Sequence, residues 1–411
     1  ISIIQKSSYL ANIIKTTTMP AQKSRFILPF ILLITTALFS QVNPIEETED
    51  NDKKVEELGY FIETSIHESN NEGYISKFDL DDFGKKITKM TNDDKEQYFF
   101  SQGFLKGLLE GIDEYPKKLS AHVENGGYYD FISYRYESEA KTYYMLFRFF
   151  SEESGVNYHD YRVVDNNGEF KFSDLYIYLS GEHLSDTFSR MYMTALPKNK
   201  LAKFLKGDYF GDYEKFTEAV NLNRSGKPAK AYKVLNSIKG ELANEKFLLL
   251  IKIQISYQLD DESYIAAIEE LKEKHNNDPT MYLTLVDYYI LKEEYDRAFD
   301  LIDNLQIETN DDFLCYMKGN VEFLSDDYES ASNYYAYIIE NYPDFFQGYA
   351  GYLIATTKQQ KYDDAITVLN KLVELEYDKD AIIEYLEEDD ETGINVLEDL
   401  VKSDAYKTWK G

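Results

Sequence analysis

The spacing of apolar residues changes twice along the chain. From 55 to about 118 they recur at helical intervals, with Leu58, Phe61, Ile62 and Ile66 on one stripe. A second stripe follows in Phe100, Phe104, Leu105, Leu108, Leu109 and Ile112, ended by Pro116. Between 128 and 178 the period falls to two. The segments 128–136, 142–150, 158–164 and 170–178 are dense in Tyr, Phe and Val. Polar gaps separate them, and the last, Asp165-Asn166-Asn167-Gly168, is a hairpin-turn string. These segments predict an antiparallel meander of four strands, followed by a helix over 184–196. From about 208 the pattern is helical to the end.

The helical half repeats. A small residue followed by an apolar pair recurs at Ala231, Ala267, Ala298, Ala331 and Ala365, at gaps of 36, 31, 33 and 34 residues. The clearest copy is 312–345. There Gly319 lies twelve residues before Ala331, Tyr335 four after it and Pro343 twelve after it. Gly319 and Ala331 allow two helices to approach, Tyr335 packs on the next unit, and Pro343 stops the second helix. Pro279 stands in the same relation to Ala267. A phased helix-turn-helix of this length resembles the tetratricopeptide repeat, over 208 to 378 in four to five units.

That resemblance implies a superhelix whose concave face, lined by the first helix of each pair, grips a protein segment. The residues that packing does not require there are Met317, Asn320 and Glu322 in the clearest copy. Asp287 and Tyr288, and Gly348 and Tyr352, are their counterparts in the neighbouring copies. Residues 379–411 break the phase and read as capping helices, with Tyr406 and Trp409 folding back onto the last repeat. Over 55–200, helices followed by a meander resemble NTF2-like or cystatin-like α+β domains, in which a curved sheet wraps a long helix. Some members hold a ligand pocket there. The fold class expected is therefore α+β, with N-terminal helices and a four-stranded curved antiparallel sheet, followed by an all-α repeat superhelix.

Charge narrows the partner. The chain carries 74 acidic and 44 basic side chains, a net of -30. Residues 201–411 hold 43 acids against 22 bases. Such a surface repels nucleic acid and anionic lipid and favours a partner with a basic segment. The 37 tyrosines suit half-buried positions where the ring packs and the hydroxyl stays wet.

Candidate chemistry is sparse. The single cysteine, Cys315, excludes an internal disulfide and reads as a small core residue. The five histidines show no His-x-x-x-His spacing, so no metal or other cofactor is expected. His159 and Asp160 read as ordinary strand-surface residues, or as the lining of a pocket. Gly103, Gly107 and Gly111 recur every fourth residue and read as a helix face packed close against the sheet. No phosphate loop and no nucleophile elbow occurs.

At the N-terminus, Met19, Lys23 and Arg25 precede an uncharged run over 26–39. This is the pattern of a signal peptide over 19–40, cleaved near Ser40/Gln41, with 1–18 upstream of the true start. No cysteine follows the run, so no lipid anchor is expected. Residues 41–54 read as a disordered acidic leader. The protein expected is a periplasmic or secreted scaffold without enzymatic activity. The alternatives are a small-molecule-binding or enzymatic α+β domain with a docking array, and a structural part of a cell-envelope assembly.

Overall fold

The computed structural model describes residues 44–91, 97–151, 155–196, 200–201, 205, 208–275, 278–389 and 394–411. The expected signal peptide and start site lie outside them. Packing divides the described chain into two units, 44–283 and 284–411.

The first unit opens on α1 (Glu49–His67), α2 (Asn71–Ser76), α3 (Leu80–Ile87), α4 (Tyr98–Leu109) and α5 (Glu114–Glu124). Residues 44–54 are not the disordered leader that their acidity suggested. Ile45 is buried and its N–H donates to the Lys141 carbonyl at 2.9 Å. Thr48 caps α1, its side chain accepting from the Asn51 N–H, and Glu49, Asp50 and Asp52 fill the first turn. Acids at a helix N-terminus complement the partial positive charge there. Tyr143 also donates to the Asp52 carboxylate at 2.7 Å.

The sheet follows as β1 (Tyr128–Glu137), β2 (Thr142–Ser151), β3 (Gly155–Asn166), β4 (Glu169–Ile177) and β5 (Glu182–His183). It is an antiparallel meander in the order β1-β2-β3-β4-β5. The fifth strand, unforeseen in the sequence, is two residues long and pairs with Tyr176 and Ile177. The β3–β4 hairpin closes on Asn166 opposite Glu169, with Asn167 and Gly168 at φ 57° and 89°. Both central residues at positive φ make the turn whose twist matches the strands. Helix α1 lies against β1, β2 and β4.

Helix α4 departs from expectation. A Cβ added at Gly103 or Gly107 would meet nothing within 4 Å, so these glycines do not pack on the sheet. The helix is held to the core by Phe100, Phe104, Leu105 and Leu108, with the Phe104 ring 5.2 Å from that of Tyr192 in the helix after the sheet.

After α6 (Leu184–Ala195) come two helix pairs, α7 (Asp208–Arg224) with α8 (Pro228–Leu235), and α9 (Lys246–Ser256) with α10 (Asp261–His275). No break in packing marks the boundary expected between 200 and 208. One apolar cluster runs from Ile45 through the sheet to Ile255 in α9. A clasp reinforces it: Lys246 Nζ donates to the Tyr176 hydroxyl, the Asp278 carboxylate and the Thr280 hydroxyl, each at 2.6 Å. Sheet, second pair and the turn after it are thereby joined at one half-buried ammonium.

The repeats continue with α11 (Tyr282–Leu291) and α12 (Tyr295–Thr309), α13 (Cys315–Leu324) and α14 (Tyr328–Asn341), and α15 (Phe346–Lys358) and α16 (Tyr362–Glu374). With α7 to α10 these are five helix-turn-helix pairs among the described residues. Four of the first helices end alike. The N–H groups of Lys227, Glu294, Asp327 and Lys361 donate to the carbonyls of Leu222, Tyr289, Glu322 and Thr356 at 3.0, 2.8, 3.0 and 2.9 Å. Gly226, Glu293, Asp326 and Gln360 take the left-handed conformation between them. Each stands five residues before the alanine of its repeat. The second pair turns differently, with Asp260 accepting from the Ser263 N–H at 2.7 Å.

The chain closes with α17 (Lys379–Glu387), α18 (Glu398–Lys402) and α19 (Asp404–Lys410). Tyr406 is buried with the last pair, and Trp409 Nε1 donates to Asn370 of α16 at 3.0 Å. The Lys379 ammonium sits 4.7 Å over the indole.

Candidate partner-binding surface

The repeat positions are built for close approach. Ala231, Ala267, Ala298, Ala331 and Ala365 are all at most 1% exposed, leaving no room for a longer side chain. Tyr335 of α14 passes between two first helices. A Cβ on Gly319 would lie 2.8 Å from its ring, and one on Gly351 2.6 Å. Its hydroxyl donates to Asn320 Oδ1 at 2.8 Å. Gly351 was not singled out by the repeat phase, but the slot needs it as much as Gly319. Pro343 follows the end of α14 at Asn341 and lies exposed in the turn to α15.

The seven residues expected on an open concave face are mostly packed away. Asp287, Tyr288, Met317, Asn320 and Gly348 are all buried. Asn320 is spent on Tyr335, and a Cβ on Gly348 would meet Ile338 Cγ2 at 2.6 Å. The Tyr288 ring packs on Tyr289, 5.1 Å between centroids. Only Glu322 and Tyr352 are half-exposed, and burial raises the Glu322 carboxyl. The first helices are therefore largely interior, and the surface of this unit belongs to the second helices and the turns.

That surface is acidic to an unusual degree. Residues 284–411 carry 30 acidic and 10 basic side chains, a net of -20, so two-thirds of the whole charge sits here. Some acids serve the frame. Asp327 and Asp378 cap α14 and α17 through the N–H groups of Ser330 and of Asp380 and Ala381. Lys318 is neutralised internally, paired with Asp303, bonded to Gln306 and set 5.4 Å over the Phe299 ring. Cys315 is half-buried, and burial raises its thiol, which disfavours the reactive thiolate.

In the first unit the space between helices and sheet is filled by rings. Tyr74, Tyr129, Phe147, Tyr161 and Phe172 are all buried. His159, read as a strand-surface residue, is inside this cluster. Asn157 Oδ1 accepts from the N–H groups of Tyr158 and Leu179 at 2.8 and 3.0 Å, which turns its amide nitrogen toward His159 Nε2 at 3.4 Å. Nε2 is then the acceptor and Nδ1 carries the proton. Nδ1 donates to Tyr129 at 3.1 Å, with the Tyr115 hydroxyl 3.4 Å away, and hydrogen bonds of 2.6 and 2.8 Å join the hydroxyls of Tyr129 and Tyr161 and of Tyr161 and Tyr74. Burial alone lowers the imidazole to about 3, far below the range of a general base at neutral pH. Tyr74 comes from a helix remote in sequence, so strand alternation alone gave no sign of this chain.

A second buried group sits between β5, α6 and α9. Arg190 is fully buried, pairs with Glu182 and lies 4.3 Å over the Phe247 ring. Burial raises Glu182 to about 7 and lowers Arg190 to about 10. Thr187 donates to the other Glu182 oxygen at 2.7 Å. The pair anchors α6 to the first repeats. Among the described residues, no cluster of three His, Cys, Asp or Glu side chains is placed to hold a metal ion. No described helix is long and apolar enough to cross a membrane.

No family model matches the chain, and no curated protein does. Two solved structures are similar in part. A tetratricopeptide repeat protein from Parabacteroides merdae is 18% identical with a TM-score of 0.35, covering 41% of this chain and 68% of its own. A mutant of MamA is 12% identical with a TM-score of 0.32, covering 41% of this chain and 99% of its own.

Proposed function

We propose that the protein is an exported scaffold whose acidic repeat unit holds another protein through a basic segment. The observation that carries this is the segregation of charge: residues 284–411 have a net of -20, while 201–283 hold 13 acids against 12 bases. The two stretches share one repeat frame, so the frame does not require the acid. A surface of this sign steers a cationic partner over long range, and its pull fades as salt rises. The basic, apolar run around 26–39 supports export, and cleavage near Ser40/Gln41 would leave α1 and its cap intact.

The ring-filled interior and neutral, buried His159 weigh against catalysis in the sheet domain. The test is chemical cross-linking of the full chain in envelope and secreted fractions, with the linked peptides sequenced. Partners linked to 284–411 through Lys- or Arg-rich segments, and released by salt, are the expected result. Partners that are acidic, indifferent to salt, or linked only to 44–283 would overturn the reading.

A further inference from the structure

Resting on that reading, we infer that the partner docks along one edge of the second unit, formed by the C-terminal ends of α12, α14 and α16, and that its docking segment is both basic and apolar. Large apolar side chains are rarely exposed among the described residues of this unit, and four of the five that are gather at this edge, the fifth being Ile394 in the turn before α18. Ile307 is 79% exposed, Val373 39%, and Leu375 and Tyr337 38%. All four fall in the last two turns of a second helix or one residue beyond it. They alternate with exposed acids: Glu308 beside Ile307, Glu340 and Asp344 beyond Tyr337, and Glu374 and Glu376 around Leu375.

The three helix ends adjoin one another. Asp312, just after α12, accepts from the Tyr337 hydroxyl at 2.5 Å and from that of Tyr342. Lys371 of α16 donates to the Ile339 carbonyl of α14 at 3.2 Å. Tyr337 is thus tied to the end of the preceding repeat, and α16 to the end of α14.

Neither component is explained by folding. Glu308, Glu340, Asp344, Glu374 and Glu376 form no ion pair with a basic side chain among the described residues. Glu308, Glu340 and Glu374, in the last turns of their helices, also meet the negative end of the helix dipole, which disfavours them there. An apolar strip rimmed by one sign of charge matches a segment of opposite charge with apolar residues between its cations. A helix with Leu at i, i+3, i+4 and i+7 and Lys elsewhere has that chemistry.

The experiment uses the full chain and two labelled synthetic peptides of equal charge, followed by fluorescence anisotropy. One is an amphipathic Lys/Leu helix, and the other has its leucines replaced by serine. The wild type is expected to bind the first about tenfold more tightly than the second. Ile307→Ser, Val373→Ser and Leu375→Ser together should remove that difference while keeping the weaker, salt-sensitive binding. Glu340→Gln, Glu374→Gln and Glu376→Gln together should weaken both peptides. The same charge removed at the other end of the helices, by Asp296→Asn, Glu329→Gln and Asp364→Asn, should have a smaller effect. Thermal melts of each variant confirm that the fold is kept. If the Lys/Leu advantage survives the serine variant, or both charge variants weaken binding equally, the edge is wrong and the acidic scaffold stands. If neither peptide binds at low salt, the acidic scaffold falls with it.

Discussion

Side chains here are committed to the frame one at a time, and their cost of replacement follows from what each touches. Ala331 has no exposed surface, so Ala331→Leu must force the helix pair apart. The expected loss is about 1–3 kcal/mol, read as a lowered denaturation midpoint. Unchanged stability would mean that the repeat phase is misplaced. His159 offers a pH signature. Its ordinary value is 6.5 and its folded value about 3, so between those limits the unfolded chain binds the proton and the folded one does not. Stability from this site is complete above pH 6.5 and is lost as pH falls toward 3. His159→Phe, which keeps a ring stacked on Phe149, should therefore lose less melting temperature on acidification than the wild type. Equal losses would show that the imidazole is solvated.

Elements were legible where local chemistry alone decides them. The hairpin at Asn167-Gly168 and the five alanines reveal themselves through spacing, because turn geometry and helix approach are set within a few residues. Three features were hidden for a common reason: the deciding partner is distant in sequence. The acids of the first turn of α1 resembled a leader until Tyr143, remote in sequence, supplied a bond to Asp52. Gly103 and Gly107 resembled a packing face, although the neighbouring stripe of Phe100, Phe104, Leu105 and Leu108 makes the contacts. The residues Met317, Asn320 and Gly348 looked dispensable because packing on the next helix pair is invisible in a single repeat. The left-handed turns are also open to test. Glu293 holds φ 56°, which suits glycine better, so Glu293→Gly should stabilise by about 0.5–1 kcal/mol. A fall in the chemical denaturation midpoint would contradict the turn assigned there.

At the scale of the molecule, the first two repeats are not separable from the sheet. Arg190 rests on Phe247, Lys246 bonds Tyr176, and a Cβ on Gly181 would strike Leu250 and Lys246 at 2.6 Å. A fragment starting at 208 would present this apolar face to water, and should elute as aggregate in size exclusion while the chain from 41 elutes as a discrete species. Lys246→Met in the full chain should be milder, costing about 1–3 kcal/mol through the stranded Asp278 carboxylate and Tyr176 hydroxyl. A fragment from 208 that melts as cooperatively as the full chain would refute the shared core.

The joined core at the start of the repeats has a counterpart in the returning helices α17 to α19 at their end. Stacked repeats ordinarily offer a bare face at each terminus onto which another copy, or a newly duplicated unit, can settle. Here a sheet domain occupies one terminus and Tyr406 and Trp409 help close the other. The number of repeats is thus fixed from outside the repeats. A lineage carrying this protein could lengthen it only by intercalation between two existing pairs, where the left-handed turn and the alanine five residues later would keep a newcomer in step.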